Sequence, residues 1–497
     1  MEKGASSVRL LLVNPNYHCG GAEVPIGTMT PLGLLLVAGA LIDRGHQVEL
    51  LDASKLQMGI PEVLDHISRT RPEGVGVGAM ASTATTPRAC RILEGAKQID
   101  PSIFTVLGGV HPSYMYAEIM KDHPSVDAIV RGDGEWITPD LVDAVEAGSS
   151  LAEVHGIVWR SGTDVIVNPM RPVERDLGKL RAAWELIDDW DLYRHGVTGE
   201  RMAVVQFSRG CPFTCSFCGQ WEFWAKYRTR DPLRFVDELE MLKRDHGVTH
   251  FFFADEEPAI TQGKWIPLLE EIARRKLDVH LSLNLRVTDI LRDRERLDLY
   301  RRAGIVLVDL GVESTDQAFL DENEKKTTTT QNAEAIALLR GHGIMSIMNL
   351  LLGGRSETQA TLNAKFSIIK RWGPDLVLAY ILVPFPWTSF GDKHGDQVRT
   401  RDYEEWNYVN PVIVMDAYDQ GRMVADIQKH LVAYLTRRLF GLPWIKDRLR
   451  RRSVAGFILG GSVNYYYHRY RFLQPLIRRT VGRGRPMVRL FGPPLAG

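Results

Sequence analysis

Apolar and polar positions along this chain fall into two registers, one with the period of a strand and one with the period of a helix. Val8–Val13 is a continuous apolar run halted by Asn14-Pro15, which predicts a strand buried on both faces and stopped by a turn. From about Pro31 to Arg44 the apolar residues take helical spacing, and Gly45 supplies a stop signal. Gln47–Leu51 reads as a second strand that closes in Asp52. Helix 60–70, strand Gly74–Ala79, helix 87–98 and strands Phe104–Leu107 and Ala128–Val130 continue the alternation. Such alternation predicts an α/β domain over residues 1–145 with a parallel, doubly wound, Rossmann-like sheet. Ligands of these sheets bind beyond the carboxyl ends of the strands. The loops there are Asn14–Gly21 (NPNYHCGG), Ala79–Thr83 (AMAST) and Gly108–Ser113 (GGVHPS).

Residues 146–195 read as a connection, with a hairpin-like pattern of Val158, Val165 and Val167 followed by a charged stretch bearing Trp184, Trp190 and Tyr193. A second series of strands and helices occupies residues 196–395. Met202–Ser208 delivers a cysteine-rich loop, and Asp231-Pro232 then begins a helix, since Asp is a preferred cap and Pro suits the first helical position. Strand Thr249–Ala254 ends in Asp255-Glu256-Glu257, strand His280–Leu285 in Arg286, strand Val306–Leu310 in GVES (Gly311–Ser314), and strand Met345–Leu352 in GGRSET (Gly353–Thr358). Polar residues at successive strand ends describe one rim of a barrel or partial barrel. Two prolines in Tyr380–Phe390 forbid a regular helix there, which leaves a stiff aromatic cover over a pocket or a closing turn. Residues 396–497 predict a helical segment, periodic from Met423 to Phe440.

Composition adds limits. The chain has 497 residues, 44% hydrophobic and 25% charged, which suits a globular protein of two or three domains. No apolar run is long enough for a bilayer span and no secretory signal is visible. Five cysteines without an even disulfide spacing favour a reducing cytoplasm. Net charge is +0, yet the last fifty residues are rich in arginine, from Arg448 to Arg489, with tyrosines at 465–467 and 470. That tail suits an anionic membrane surface or an acidic electron donor, and a solvated helix face fits it too. Nucleic acid is not expected.

Three of the five cysteines, Cys211, Cys215 and Cys218, fall within RGCPFTCSFCGQ. Thiolates this close are poorly placed to bridge one another but can wrap a single metal centre. Iron–sulfur sites normally take four thiolates. With three, a [4Fe–4S] cluster keeps one iron open for a ligand, whereas a zinc loop would need a fourth ligand from elsewhere. The spacing, with Phe217 just before the last cysteine, resembles the signature of the radical S-adenosylmethionine (SAM) enzymes. The resemblance implies that the open iron chelates SAM and that the reduced cluster releases a 5′-deoxyadenosyl radical. It also implies that Asp255, Glu256 and Glu257 hold the SAM amino group, that Arg286 and Glu313 face its ribose or methionine part, and that Gly353-Gly354 approaches its adenine.

The first domain resembles the cobalamin-binding domains that precede many such enzymes. The usual histidine-ligand motif of that fold begins with Asp, and here Asn16, His18 and Gly21 hold its places. His18 is then a lower cobalt ligand or a loop histidine touching cofactor or substrate, while Ser82 and Gly108-Gly109 lie where the nucleotide tail would approach the backbone. NYHCGGAE, VLGGVHPSYMY, RGCPFTCSFCGQWEFWAKYRTRDP, FFADEEP and PWIKD together resemble the anaerobic magnesium-protoporphyrin IX monomethyl ester oxidative cyclases of bacteriochlorophyll biosynthesis. The run VPIGTMTPLGLLLVAGAL (24–41) is closer to cobalamin-dependent radical enzymes in general, so a C-methyltransferase acting on a tetrapyrrole or other substrate is the alternative. The cyclase resemblance implies a tetrapyrrole substrate, with Trp221, Trp224 and Tyr227 offering flat faces to it, and a reduced flavodoxin or ferredoxin as electron donor.

Overall fold

The computed structural model describes residues 7–16, 29–78, 82–196, 198–224, 226–441 and 455. His18, Cys19, Gly21 and the arginine-rich segment from Arg448 to Arg489 lie outside the described residues. Fifteen strands are described: β1 Arg9–Asn14, β2 Gln47–Asp52, β3 Gly74–Val77, β4 Phe104–Gly108, β5 Ala128–Val130, β6 Ile157–Ser161, β7 Asp164–Val167, β8 Met202–Val205, β9 Ser208–Arg209, β10 Arg228–Thr229, β11 His250–Phe253, β12 His280–Arg286, β13 Ile305–Glu313, β14 Met345–Leu352 and β15 Leu376–Ile381.

The first sheet has the order β2-β1-β3-β4-β5-β6-β7. Its first five strands are parallel, as continuous apolar runs buried on both faces require. The antiparallel hairpin β6–β7, within the stretch read as a connection, extends this sheet at its edge. The helix read from the sequence as 87–98 runs from Ser82 to Ile99. Pro87 sits inside the helix, where its missing N–H removes one backbone bond near the start.

The second sheet runs β15-β14-β13-β12-β11-β8, every pair parallel and in chain order, which is a partial barrel. Side chains alternate across it. Leu281, Leu283 and Leu285 join the core shared with the outer helices, which leaves Ser282, Asn284 and Arg286 on the opposite, inner face. Asp231 caps the helix Pro232–His246 by accepting from Leu233 N at 3.1 Å and Arg234 N at 3.2 Å. The open edge at β8 is covered by the first domain: Val204 N donates to Thr30 Oγ1 at 2.9 Å, and Met29 and Leu32 pack on Met202, Val204 and Phe252. Leu35 and Leu36 enter the barrel's own outer core, so the two sheets share apolar packing.

The periodic C-terminal stretch forms the helix Gln420–Gly441, which sends Met423, Ile427 and Tyr434 into that core. Among the described residues, no helix is long and apolar enough to cross a membrane.

Candidate active site

The cysteine loop is bracketed by a short antiparallel pair in which Arg209 faces Arg228 and Ser208 faces Thr229. Gly210 opens the loop at φ +87°, and a Cβ there would stand 2.6 Å from the Lys226 carbonyl, so only glycine fits. Opposite, Ser216 N donates to the Asn323 carbonyl at 3.2 Å and Thr214 Oγ1 to Glu324 at 3.0 Å. The aromatic stretch after β15 closes over the loop: Phe390 N donates to the Ser216 carbonyl at 3.0 Å and Trp387 Nε1 to Gly219 O at 3.3 Å. It is therefore a cover rather than only a closing turn.

Cys211, Cys215 and Cys218 carry no disulfide. Burial pushes the Cys211 thiol up to about 12, against the opposing Arg286 charge, and the Cys218 thiol up to about 11. A cationic metal centre reverses that balance by binding the thiolate. Two other side-chain groups of the described chain have ligand atoms all within 4.8 Å of one another, and the three thiols do not form such a group. Zinc bonds of about 2.3 Å would set tetrahedral sulfurs about 3.8 Å apart. The loop is wider than that, which fits a cluster better than a single ion.

Beside the cysteines, the end of β11 brings three carboxylates into the wall, and each already has protein partners. Asp255 accepts from Phe207 N at 3.1 Å, from Ser208 Oγ at 2.6 Å and from Ser208 N, so it holds the turn between β8 and β9. Glu256 accepts from Gly210 N at 3.3 Å and from Trp224 Nε1, and thereby anchors the cysteine loop at both ends. Glu257 accepts from Arg286 N at 2.7 Å, while its Oε1 has no hydrogen-bond donor. Burial raises Asp255 to about 6 and Glu256 to about 7, and burial beside Asp289 raises Glu257.

On the inner face of β13 and β14, the buried oxygens Asp309 Oδ1 and Asn349 Oδ1 also lack partners. Such an excess of buried, underserved carboxylates fits a cationic ligand, and SAM carries both a sulfonium and an ammonium. Glu313 takes φ +67°, uncommon for a residue with a Cβ, and pairs with Lys325 Nζ at 2.7 Å.

Arg286 is held by the cysteine loop and the residues around it. Its guanidinium lies 3.6 Å over the Phe213 ring, with Nη1 3.6 Å from Cys215 Sγ and Nη2 donating to the Lys325 carbonyl. It therefore lies against the cysteine loop. Gly353, at φ +81°, has Ile381 and Met423 where a Cβ would project, whereas Gly354 meets only Leu382 at 3.6 Å and leaves more room.

Of the aromatic residues, Trp221 begins the short helix Trp221–Trp224 and is half-buried. Trp224 is engaged by Glu256 and by Arg209, whose guanidinium is 4.8 Å from its ring, and Tyr227 donates to the Pro258 carbonyl at 3.1 Å. Trp224 and Tyr227 thus position the carboxylate wall, which leaves Trp221 the less committed face.

Asp309 yields a prediction. Burial, with the Glu313 charge second, raises its carboxyl to about 7. Between about pH 4 and pH 7 the folded chain holds a proton that the unfolded chain has released, so stability falls as pH rises through that window. Asp309→Asn removes the slope. In chemical denaturation of the cofactor-free chain, the variant gains on the order of 4 kcal/mol over wild type at about pH 8, less than half of that at about pH 5, and little at about pH 3.

Across the junction, the loops of the first sheet face this site. Ser82 Oγ accepts from His111 N at 3.0 Å and stands where a Cβ on Gly109 (φ +119°) would come within 2.8 Å, while nothing lies within 4 Å of a Cβ on Gly108. Asn16 Oδ1 is buried without a partner. An open, Cβ-free backbone at one strand end and an unsatisfied amide oxygen at another, on the same carboxyl edge of the sheet, fit the polar tail of cobalamin. His111, not singled out from the sequence, is fully buried with both ring nitrogens unpartnered, edge-on to Trp387 and Tyr403, and burial pushes it down to about 4. Tyr114 stacks on Trp387 at 5.2 Å, which links the first domain to the cover of the cysteine loop.

A buried ionic network completes the junction. Arg209, 1% exposed, pairs with Asp133 at 3.0 Å and with Glu135, and Arg228 pairs with Asp133 at 2.8 Å. RGDGE, which reads as a turn at the domain's edge, is also the first domain's grip on the cysteine loop.

Comparison with known proteins agrees with this arrangement. Residues 205–364 match the radical SAM superfamily and residues 21–142 the B12-binding domain. The chain therefore uses a [4Fe–4S] cluster, SAM and cobalamin. It resembles the structure of the cobalamin-dependent SAM radical enzyme OxsB with TM-score 0.68 and 15% identity, over 96% of this chain and 75% of that one, which is a likeness of fold. It is 37% identical to the anaerobic magnesium-protoporphyrin IX monomethyl ester cyclase of Rubrivivax gelatinosus over 95% of this chain and 87% of that relative. To the same-named cyclase of Cereibacter sphaeroides it is 36% identical, over 93% of this chain and 76% of that relative. The chain belongs to the family of anaerobic magnesium-protoporphyrin IX monomethyl ester cyclases, a cobalamin-binding branch of the radical SAM superfamily.

Proposed function

We propose that this chain closes the isocyclic ring of magnesium-protoporphyrin IX monomethyl ester without oxygen gas. The methyl-propionate side chain loses hydrogens, gains a ketone oxygen from water and bonds to the neighbouring meso carbon. The cluster and SAM together supply hydrogen-atom abstraction from an unactivated C–H bond. The carrying observation is the docking of the two cofactor domains at the cysteine loop: Arg209, next to that loop, is buried against Asp133 and Glu135 of the first domain, and Tyr114 of the first domain stacks on Trp387 over it.

In this reading Cys211, Cys215 and Cys218 hold the cluster, and Arg286 keeps Cys215 in place. Glu257, Glu313 and the inner-face Asp309 balance the positive charge of SAM, with Gly353-Gly354 beside its adenine. Asn16, Ser82 and Gly108-Gly109 receive cobalamin, with His18 in the same loop region. Glu256, fixed by Trp224 and Gly210 N, orients the loop, and Trp221 presents a ring face to the macrocycle. Trp387 and Phe390 exclude water over the cysteines. A one-electron donor of the flavodoxin or ferredoxin type and an anionic membrane surface are the partners that the arginine-rich tail suits.

Isotopic labelling tests this reading. Anaerobic turnover in oxygen-labelled water is expected to place the label in the product ketone. Transfer of a labelled methyl group from SAM to the porphyrin, with no oxygen gained, would instead make the chain a methyltransferase.

A further inference from the structure

Three residues far apart in sequence meet at the end of the barrel opposite the cysteine loop. Glu200 lies just before β8, His250 begins β11 and His280 begins β12, and because these strands are parallel all three sit at the amino-terminal floor. His280 Nδ1 is 2.8 Å from Glu200 Oε1, His250 Nδ1 is 3.5 Å from Glu200 Oε2, and the three ligand atoms lie within 4.8 Å of one another. We propose that Glu200, His250 and His280 form a binding site for one divalent transition metal of the zinc class, distinct from the cofactor machinery of the active site.

The chemistry matches. Two imidazoles and a carboxylate, with one position left for water, are a familiar zinc set, and bonds of about 2.0–2.1 Å would set ligand atoms about 3.4 Å apart. The present spacings reach that with small side-chain shifts. His250 Nε2 lies 2.7 Å from Ser282 Oγ, the outer partner that a metal-bound imidazole uses to fix its ring. His195 stacks on His250 at 4.1 Å, is 2% exposed, and its Nε2 has no partner, which leaves an unsatisfied nitrogen against the site.

The other such group, His46, Asp143 and Glu146, differs in one respect. There Arg44 already donates to Asp143, so a cation is in place. Among the described residues, no Lys or Arg pairs with Glu200; its carboxylate meets the two histidines and accepts from Thr249 Oγ1 at 3.5 Å. A metal at this floor would staple the segment preceding β8 to the first residues of β11 and β12, whatever the substrate.

The test uses the full chain, purified anaerobically with its cluster, incubated with excess zinc and desalted. Elemental analysis is expected to find about one zinc per chain beside the cluster iron, and zinc-edge X-ray absorption only nitrogen and oxygen neighbours at about 2.0–2.1 Å. Glu200→Gln and His280→Ala, both at partly exposed positions, are expected to lose the zinc and keep the iron. Trace zinc in the wild type, zinc with sulfur neighbours at about 2.3 Å, or full zinc in both variants would each overturn the proposal.

Discussion

Replacing Cys215 by alanine is expected to bring SAM cleavage and porphyrin turnover down to background while leaving the fold intact. Cys215 is 6% exposed, held between the Arg286 guanidinium and the Glu324 carbonyl, and among the described residues no cysteine outside the loop stands beside it. Outside the loop, the one other described cysteine is Cys90, buried in the first domain's core. Two thiolates hold a cluster poorly, so iron and acid-labile sulfide fall together with activity. Cys90→Ala is the control, since its thiol, pushed up to about 12 by burial, has no part in the loop. That variant is expected to keep its iron. Retained SAM cleavage in the Cys215 variant would remove the cluster from this loop.

The second large effect belongs to Arg209. Removing one partner of a buried ionic network typically costs about 3–5 kcal/mol, because the charges left behind stay buried and unpaired. Arg209→Ala strands Glu135, leaves Asp133 with Arg228 alone, and removes the guanidinium beside Trp224. Chemical denaturation followed by tryptophan fluorescence is expected to show destabilisation of that order, with poor cluster retention because the loop's first residues lose their anchor. Adding Glu135→Gln to Arg209→Met is expected to recover part of the stability, since the stranded charge is gone, but not full activity. A single variant as stable as wild type would mean that the Arg209 network adds nothing to the docking of the two domains.

The legible parts of the fold were those set by local pattern. Apolar runs of four to six residues between turn signals gave the parallel strands, and Asp231-Pro232 gave a cap that the structure reproduces atom by atom. The cysteines and the carboxylates after β11 were visible because their residue types and spacing are unusual, and parallel strand order brings them to one end of the barrel. Less legible was what each residue does there. By resemblance Asp255 holds the SAM amino group, while in the fold its oxygens take the amides of Phe207 and Ser208, a pairing across 48 and 47 residues that no local pattern encodes.

Arg286 gives the same lesson. Its place at a strand end was evident, but its contact with Cys215, 71 residues away, depends on how the loop folds back. Asp133 and Glu135 look like turn residues because Gly132 and Gly134 flank Asp133, and only the docking of the two sheets turns them into partners of Arg209. The helix read as 87–98 begins five residues earlier, at Ser82, because Ser82–Thr86 carry no apolar period to announce it. His111 sat inside a quoted motif without drawing notice, because an imidazole with two unpartnered nitrogens is recognisable only once its surroundings are known.

The measurement closest to the central claim is anaerobic turnover of magnesium-protoporphyrin IX monomethyl ester by the reconstituted full chain with cobalamin, SAM and a one-electron reductant, read by absorbance and mass spectrometry. The account predicts a five-ring product that has gained one oxygen and lost hydrogen, formed only with both cofactors present. SAM cleaved while the porphyrin returns unchanged would contradict it, leaving the radical chemistry in place and the cyclase assignment without support.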